Sequence, residues 1–98
     1  MAAPRKVYLL VYNNAAGSRE ELKAALNEIP EVLTWRSEIP SCFFVVSEAS
    51  AQRLSDQLRL KRPAGRHLIT EIPESNRQGW LSPDAWYVIK NKRLKPKE

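Results

Sequence analysis

The sequence has very little of the residue types that build disulfide frameworks and metal clusters. Cys42 is its only cysteine and His67 is its only histidine. One thiol cannot form an intrachain disulfide, and one thiol with one imidazole falls short of a zinc site. We therefore predict no disulfide and no metal, and we interpret Cys42 as a small side chain packed in or near the core.

Long apolar runs and glycine-rich loops are also missing. The longest apolar run, Val7 to Tyr12, is much shorter than the roughly 20 residues of a membrane-spanning helix, and residues 1–6 contain no signal-peptide hydrophobic core. The three glycines leave no phosphate-cradling loop, and the common hydrolase, zinc-protease and dinucleotide-binding patterns do not occur. We predict a cytoplasmic protein with no membrane partner, no cofactor, no catalytic residue and no evident small-molecule ligand.

Positive charge is concentrated at the end of the chain. The net charge is +5 over 98 residues, and residues 90–98 hold +4 of it, so the other residues share a net charge of only +1. A nearly neutral body argues against a broad nucleic-acid surface. We predict one domain over residues 1–91 and a basic, disordered tail over residues 92–98.

Two segments are apolar on both faces, and a third alternates. Val7 to Tyr12 and Cys42 to Ser47 carry apolar side chains at consecutive positions, which is typical of central strands covered on both sides. Val32 to Ile39 alternates between apolar and polar side chains and predicts a half-exposed strand. The alternation places Leu33 and Trp35 on one face of that strand.

Capping and stop signals predict three helices around these strands. A capping box at Ser18 begins a helix over residues 19–29, an N-cap at Ser50 begins a second that ends before Pro63, and an N-cap at Ser82 begins a short third over residues 83–91. A fourth strand is predicted over residues 67–72. The order βαββαβ predicts an α+β, ferredoxin-like fold: a four-stranded antiparallel sheet with two helices on one face, plus a short C-terminal helix.

The second face of such a sheet needs a cover, because both central strands are apolar front and back. An apolar patch of this size is unusual on the surface of a monomer. Two covers are compatible with the sequence: the C-terminal segment folded across the face, or a second copy stacked sheet to sheet as a homodimer. The candidate contacts on this face are Tyr8, Leu10, Tyr12, Phe44, Val46, Trp80 and Trp86.

Several short stretches resemble a family of small proteins known as SinR-like, which is distantly similar to the small CRISPR-associated endoribonucleases of ferredoxin-like fold. The resemblance covers about residues 6–91. The matching residues are Tyr8-Leu9-Leu10-Val11-Tyr12, Thr34-Trp35, Ser41-Cys42-Phe43-Phe44-Val45, Ser50-Ala51, Gly79-Trp80, Asp84-Ala85 and Trp86. The resemblance implies a fold that is often dimeric and sometimes cleaves nucleic acid with the help of a metal ion.

In those nucleases the first strand ends in an aspartate that helps to hold the metal. Asn13 follows the first strand here, and a neutral amide is a poorer ligand for magnesium than a carboxylate. Glu28, Glu31 and Glu38 are interpreted as solvated positions, so no paired-carboxylate mechanism is predicted. We therefore expect no enzymatic activity, and a metal-dependent endonuclease that uses other acids is the alternative.

Two basic clusters are candidates for contacts with nucleic-acid phosphates. The cluster over residues 59–66 is typical of a helix C-terminus, and the cluster over residues 90–95 is typical of a solvated chain terminus, so each has a structural explanation as well. The clusters are Arg59, Lys61, Arg62 and Arg66, and Lys90, Lys92, Arg93 and Lys95. The favoured interpretation is a non-enzymatic domain with modest DNA or RNA binding, and a protein-interaction module is a further alternative.

Overall fold

The computed structural model describes residues 4–93. The elements in chain order are β1 (Lys6–Tyr12), a 3-10 turn (Asn14–Ala16), α1 (Arg19–Asn27), β2 (Val32–Arg36), β3 (Cys42–Ser47), α2 (Ala51–Lys61), β4 (His67–Glu71) and α3 (Pro83–Asn91). The four strands form one sheet in the order β2-β3-β1-β4 with antiparallel neighbours throughout. The predicted α+β, ferredoxin-like arrangement is confirmed.

Each helix begins where the sequence supplies a cap. The Ser18 and Glu21 side chains bond reciprocally to each other's backbone N–H, completing the capping box at the start of α1. The Ser50 hydroxyl accepts from the backbone of Arg53, and the Ser82 hydroxyl accepts from that of Ala85. Caps of this kind satisfy backbone donors that the first helical turn leaves unpaired, which is why local sequence locates helix starts well.

The sheet is the middle of three layers and has a separate core on each face. The helix-pair core lies between the sheet and helices α1 and α2, and the α3 core lies between the opposite face and α3. The helix-pair core includes Tyr8, Leu10, Tyr12, Leu22, Leu26, Phe43, Val45, Leu54 and Leu58. The α3 core comprises Val7, Phe44, Val46, Ala85, Val88 and Ile89.

The grouping of candidate contacts on one sheet face was wrong. Tyr8, Leu10 and Tyr12 lie beneath α1 and α2, whereas Phe44 and Val46 lie beneath α3. The strand register gives the reason, because β1 pairs Leu10 with Phe43 and Leu9 with Phe44, so Leu10 shares its face with Phe43. Paired residues in a sheet point to the same side, and neighbours along a strand point to opposite sides.

The C-terminal segment covers part of the second sheet face, which was one of the two covers predicted from the sequence. Trp86 is half-buried and packs against the α3 core. Trp80 covers nothing, because it is 99% exposed. Val11 and Leu68, which are paired across β1 and β4 on this same side, stay exposed as well.

Strand β2 is shorter and less regular than its alternation predicted. It ends at Arg36, and its pairing with β3 shifts by one residue between Val32 and Thr34. Such a bulge inserts an extra residue and exchanges the faces that follow it. Trp35 therefore packs against the helix-pair core, while Leu33 is exposed, so the shared face predicted for these two residues was wrong.

Among residues 4–93, no helix is both long enough and apolar enough to cross a membrane.

Candidate nucleic-acid interface

One end of the molecule brings together the end of β1, the start of β4 and the last turn of α2. Tyr12 pairs with His67 across the two strands. Beyond that pair, the Asn13 side chain accepts a hydrogen bond from the backbone N–H of Arg66 at 3.0 Å, and the Asn13 N–H donates to the Arg66 carbonyl at 3.1 Å. Asn13 is thus the link that fixes the loop before β4.

This end carries an open depression of about 510 Å³. We call it the basic depression, and its lining residues are Ser55, Arg59, Pro63, Ala64, Gly65, Arg66 and His67. Its volume falls within the range of small-molecule binding pockets. Its side chains are polar or charged at four of the seven lining positions, so it suits a charged ligand better than an apolar one.

The loop that forms the rim of the basic depression packs against the 3-10 turn. A Cβ atom added at Gly65 lies only 2.1 Å from the backbone nitrogen of Ala16, so no larger residue fits there without movement of the backbone. The Arg62 guanidinium donates to the Ala16 carbonyl at 2.5 Å. These contacts hold the rim at a fixed position relative to β1.

The predicted four-residue basic cluster divides into two pairs with different surroundings. Lys61 pairs with Glu28 at 3.3 Å, and Arg62 pairs with Glu21 at 3.3 Å, so both tie α2 to α1. Arg59 and Arg66 are exposed, and within residues 4–93 neither side chain has a hydrogen bond or an ion pair. Both of these arginines line the basic depression.

Asp56 is the acidic residue closest along α2 to this site. It lines a neighbouring hollow together with Arg59, Leu60 and Pro63. Within the described part of the chain it forms no ion pair with Arg59. The charge of Arg59 is therefore available to a ligand.

His67 and Ser55 form a hydrogen bond within the basic depression. The distance from His67 Nε2 to Ser55 Oγ is 2.7 Å. Burial lowers the pKa of the His67 imidazole, and the nearby Arg59 guanidinium lowers it further. The imidazole is therefore neutral at pH 7 and carries one N–H donor and one acceptor nitrogen.

Within residues 4–93, the cations near the chain end do not form a comparable site. Lys90 is exposed, Lys92 pairs with Glu74 at 3.0 Å, and the Arg93 guanidinium lies 6.0 Å from the centre of the Tyr87 ring. Lys92 is the C-cap of α3 and has a left-handed backbone conformation. Lys95 and the rest of the predicted tail from residue 94 lie outside the described residues.

The acidic residues interpreted as solvated have specific partners. Glu28 pairs with Lys61 and Glu31 with Arg53, and Glu38 binds both Arg36 and the N-terminus of α3. Within residues 4–93, no three or more acidic, histidine or cysteine side chains are grouped closely enough to hold a metal ion.

A second surface feature lies on the α3 side of the sheet. It is an apolar groove of about 450 Å³ whose walls include Leu9, Ile39, Cys42, Phe44, Ile72 and Trp86, with Trp80 at its rim. Cys42 is half-buried there, and burial raises the pKa of its thiol. A raised pKa disfavours the reactive thiolate, which agrees with a packing role for Cys42.

Sequence reasoning found the two arginines of the basic depression but missed Ser55 and the role of Asn13. Helical spacing offered one usable signal, because Ser55 and Arg59 are four residues apart and lie on the same helical face. Nothing in the sequence showed that β4 begins opposite that face.

Comparisons with protein-family models, with curated proteins and with solved structures found no match to this chain.

Proposed function

We propose that this protein binds single-stranded nucleic acid through the basic depression. The observation that carries the proposal is the pair of exposed guanidiniums, Arg59 and Arg66, which line one polar depression without ion-pair partners in the described chain. Arginine forks bind phosphate oxygens in a bidentate manner, and unpaired arginines give up no competing ion pair when they do so.

The geometry favours a single strand over a duplex. The basic depression is one concave site at one end of the domain, and the cations beside it on α2 are neutralised by Glu21 and Glu28. A duplex groove is normally read by a projecting helix or ribbon, together with several phosphate contacts spread over the surface. A flexible single strand can place one phosphate in a local depression.

The test is binding of a fluorescein-labelled 20-nucleotide RNA and its DNA equivalent, measured by anisotropy over a range of salt concentrations. We expect Arg59→Ala/Arg66→Ala to weaken binding and to lower the steepness of the salt dependence by about 0.7, because the slope falls by about 0.7 for each phosphate that a single strand no longer has neutralised, and both arginines bind one phosphate. The matched control is Arg5→Ala/Lys6→Ala, which removes the same charge at the opposite end of β1.

Equal weakening by both double variants would contradict the proposal, because the binding would then follow net charge alone. Cleavage of the labelled RNA in the presence of magnesium or manganese, and its loss with a chelator, would instead favour the nuclease alternative. Circular dichroism of both variants shows whether the fold is retained.

We propose self-association as a second function of the fold, carried by the apolar groove and Trp80. Trp80 projects fully into solvent at the rim of an apolar groove on the same face. In a pair of copies related by a two-fold axis, the projecting ring of each copy meets the groove of the other. Such a knob and hole on one face are self-complementary, and burying both removes an exposed apolar surface.

Sedimentation velocity at increasing protein concentration tests this second proposal. We expect a concentration-dependent dimer that is lost on Trp80→Ala. The matched control is Leu60→Ala, which removes another large exposed apolar side chain, 78% exposed on α2, and should leave the dimer intact. A wild-type protein that stays monomeric, or a dimer lost equally in both variants, would contradict it.

A further inference from the structure

We infer that the basic depression recognises the phosphorylated end of a nucleic-acid strand, a phosphomonoester, in preference to an internal phosphodiester. The inference rests on the proposed function and names the part of the strand that the site binds. It is carried by the number and placement of the donor groups around a single depression.

Three separate donor groups line the basic depression. Two are the guanidiniums of Arg59 and Arg66, and the third is the hydrogen-bonded pair of Ser55 and His67. A terminal phosphate offers three unesterified oxygens and a charge between about −1.5 and −2 at pH 7, as on a phosphorylated side chain. An internal phosphodiester has two such oxygens and a single charge, so it offers the three donor groups less negative charge and fewer acceptor sites.

The Ser55 and His67 pair gives the site a donor whose direction adapts to the ligand. The Ser55 hydroxyl can donate to Nε2, or it can accept from Nε2–H and turn its own proton towards the depression. In the second arrangement the neutral imidazole orients the hydroxyl towards a bound phosphate oxygen. Ser55 is thus a direct contact, and His67 is a positioning residue that acts through it.

Within residues 4–93, the other cations of the two predicted basic clusters do not extend the basic depression into a continuous path for a strand. Lys61 and Arg62, the next cations along α2, are held by Glu28 and Glu21. Lys90, Lys92 and Arg93 belong to α3 and its C-terminal cap, and α3 covers the opposite face of the sheet from α2. Two arginines without ion-pair partners in one depression suit the end of a strand, whereas a surface that follows the backbone needs repeated contacts.

The experiment compares wild-type binding to 12-nucleotide RNAs of one sequence that carry a 5′-phosphate, a 3′-phosphate or hydroxyls at both ends, with the label placed internally. We expect one of the phosphorylated strands to bind at least about tenfold more tightly than the hydroxyl-ended strand, which is the value of one additional charge-assisted hydrogen bond. Which end is preferred follows from the same comparison.

Two variants separate the contact from general charge. Ser55→Ala should weaken binding of the phosphorylated strand more than that of the hydroxyl-ended strand and so reduce the preference. His67→Gln keeps a hydrogen-bonding side chain at the same place and should retain part of the preference. Arg59→Ala/Arg66→Ala should weaken binding of all three strands.

Equal affinity for the three RNAs, with binding still reduced by Arg59→Ala/Arg66→Ala, would overturn the end preference and leave the proposed function standing. Absence of binding to every strand would overturn both. An undiminished preference in Ser55→Ala would overturn the assignment of the third donor group.

Discussion

At the scale of single residues, Glu38 holds the N-terminus of α3 to the loop between β2 and β3. Its carboxylate accepts from the Ser82 N–H at 2.5 Å and from the Ser82 hydroxyl at 2.9 Å, and it pairs with Arg36 at 3.4 Å. The hydrogen bonds from Ser82, and then the Arg36 charge, lower the pKa of Glu38. A carboxylate at a helix N-terminus is also favoured by the helix dipole.

We expect Glu38→Gln to lower stability by about 1 kcal/mol at pH 7, the order of one hydrogen bond to a charged group at a partly exposed site. Because the pKa of Glu38 is lowered in the folded protein, its contribution to folding stability is fully present at pH values above the ordinary pKa range of glutamate. It is lost as pH falls through the folded-state pKa. Urea unfolding at pH 7 and pH 3 should show the difference between wild type and variant shrinking at pH 3.

The control is Glu48→Gln, an exposed acid without an ion pair among residues 4–93. It should match wild type at both pH values. A Glu38→Gln variant as stable as wild type at pH 7 would contradict the structural role of this carboxylate.

At the scale of elements, α3 is the cover that the second sheet face requires. Ile89 is 2% exposed and packs on Val7, Phe44 and Val46 in the α3 core. We expect Ile89→Ala to cost about 2–5 kcal/mol, the range for truncating a buried isoleucine. The neighbouring Lys90→Ala is the control, since Lys90 is exposed, and thermal melts of both variants provide the measurement. Equal melting temperatures would show that α3 shields nothing of importance.

The elements were predictable to the extent that their signals are local. The bounds predicted for α3 are those observed, because the Ser82 cap and Pro83 act within one turn. The face covered by each helix was not predictable, since β1 is apolar on both sides and only its register with β3 separates Leu10 from Phe44. The bulge that exposes Leu33 also depends on pairing between strands rather than on the residue itself.

The candidate site was predictable in the same partial way. Cationic side chains near the end of α2 could be read directly from the sequence, and Arg59 and Arg66 do line one depression. Whether an arginine is paired depends on a residue far away in the chain, as with Arg62 and Glu21. The sequence therefore predicted a cluster of four cations. In the folded protein two of them are held in ion pairs, and Arg59 and Arg66 are the two that are not.

At the scale of the whole molecule, the two cores share one central layer. Strand β1 contributes Tyr8 and Leu10 to the helix-pair core and Val7 to the α3 core. Loss of either core removes support from the same strand, so we expect a single cooperative unfolding transition. Far-ultraviolet circular dichroism and tryptophan fluorescence should give coincident curves, because Trp35 reports on one core and Trp86 on the other.

The same coincidence should hold for two destabilised variants, Leu54→Ala in the helix-pair core and Ile89→Ala in the α3 core. Each should shift both curves together by the same amount. Separate transitions for the two probes would mean that α3 and its core detach while the remainder stays folded.

Because β1 contributes side chains to both cores, the protein should tolerate a change in the length of this strand less well than a substitution within it. Apolar substitutions at Val7 or Leu10 keep each side chain in its own core, and cores accept such substitutions when volume is conserved. Deleting a single residue within the strand would turn the side chains beyond the deletion towards the opposite core. Strand β1 should therefore tolerate substitutions that conserve volume far better than the deletion of one residue, or of any odd number of residues.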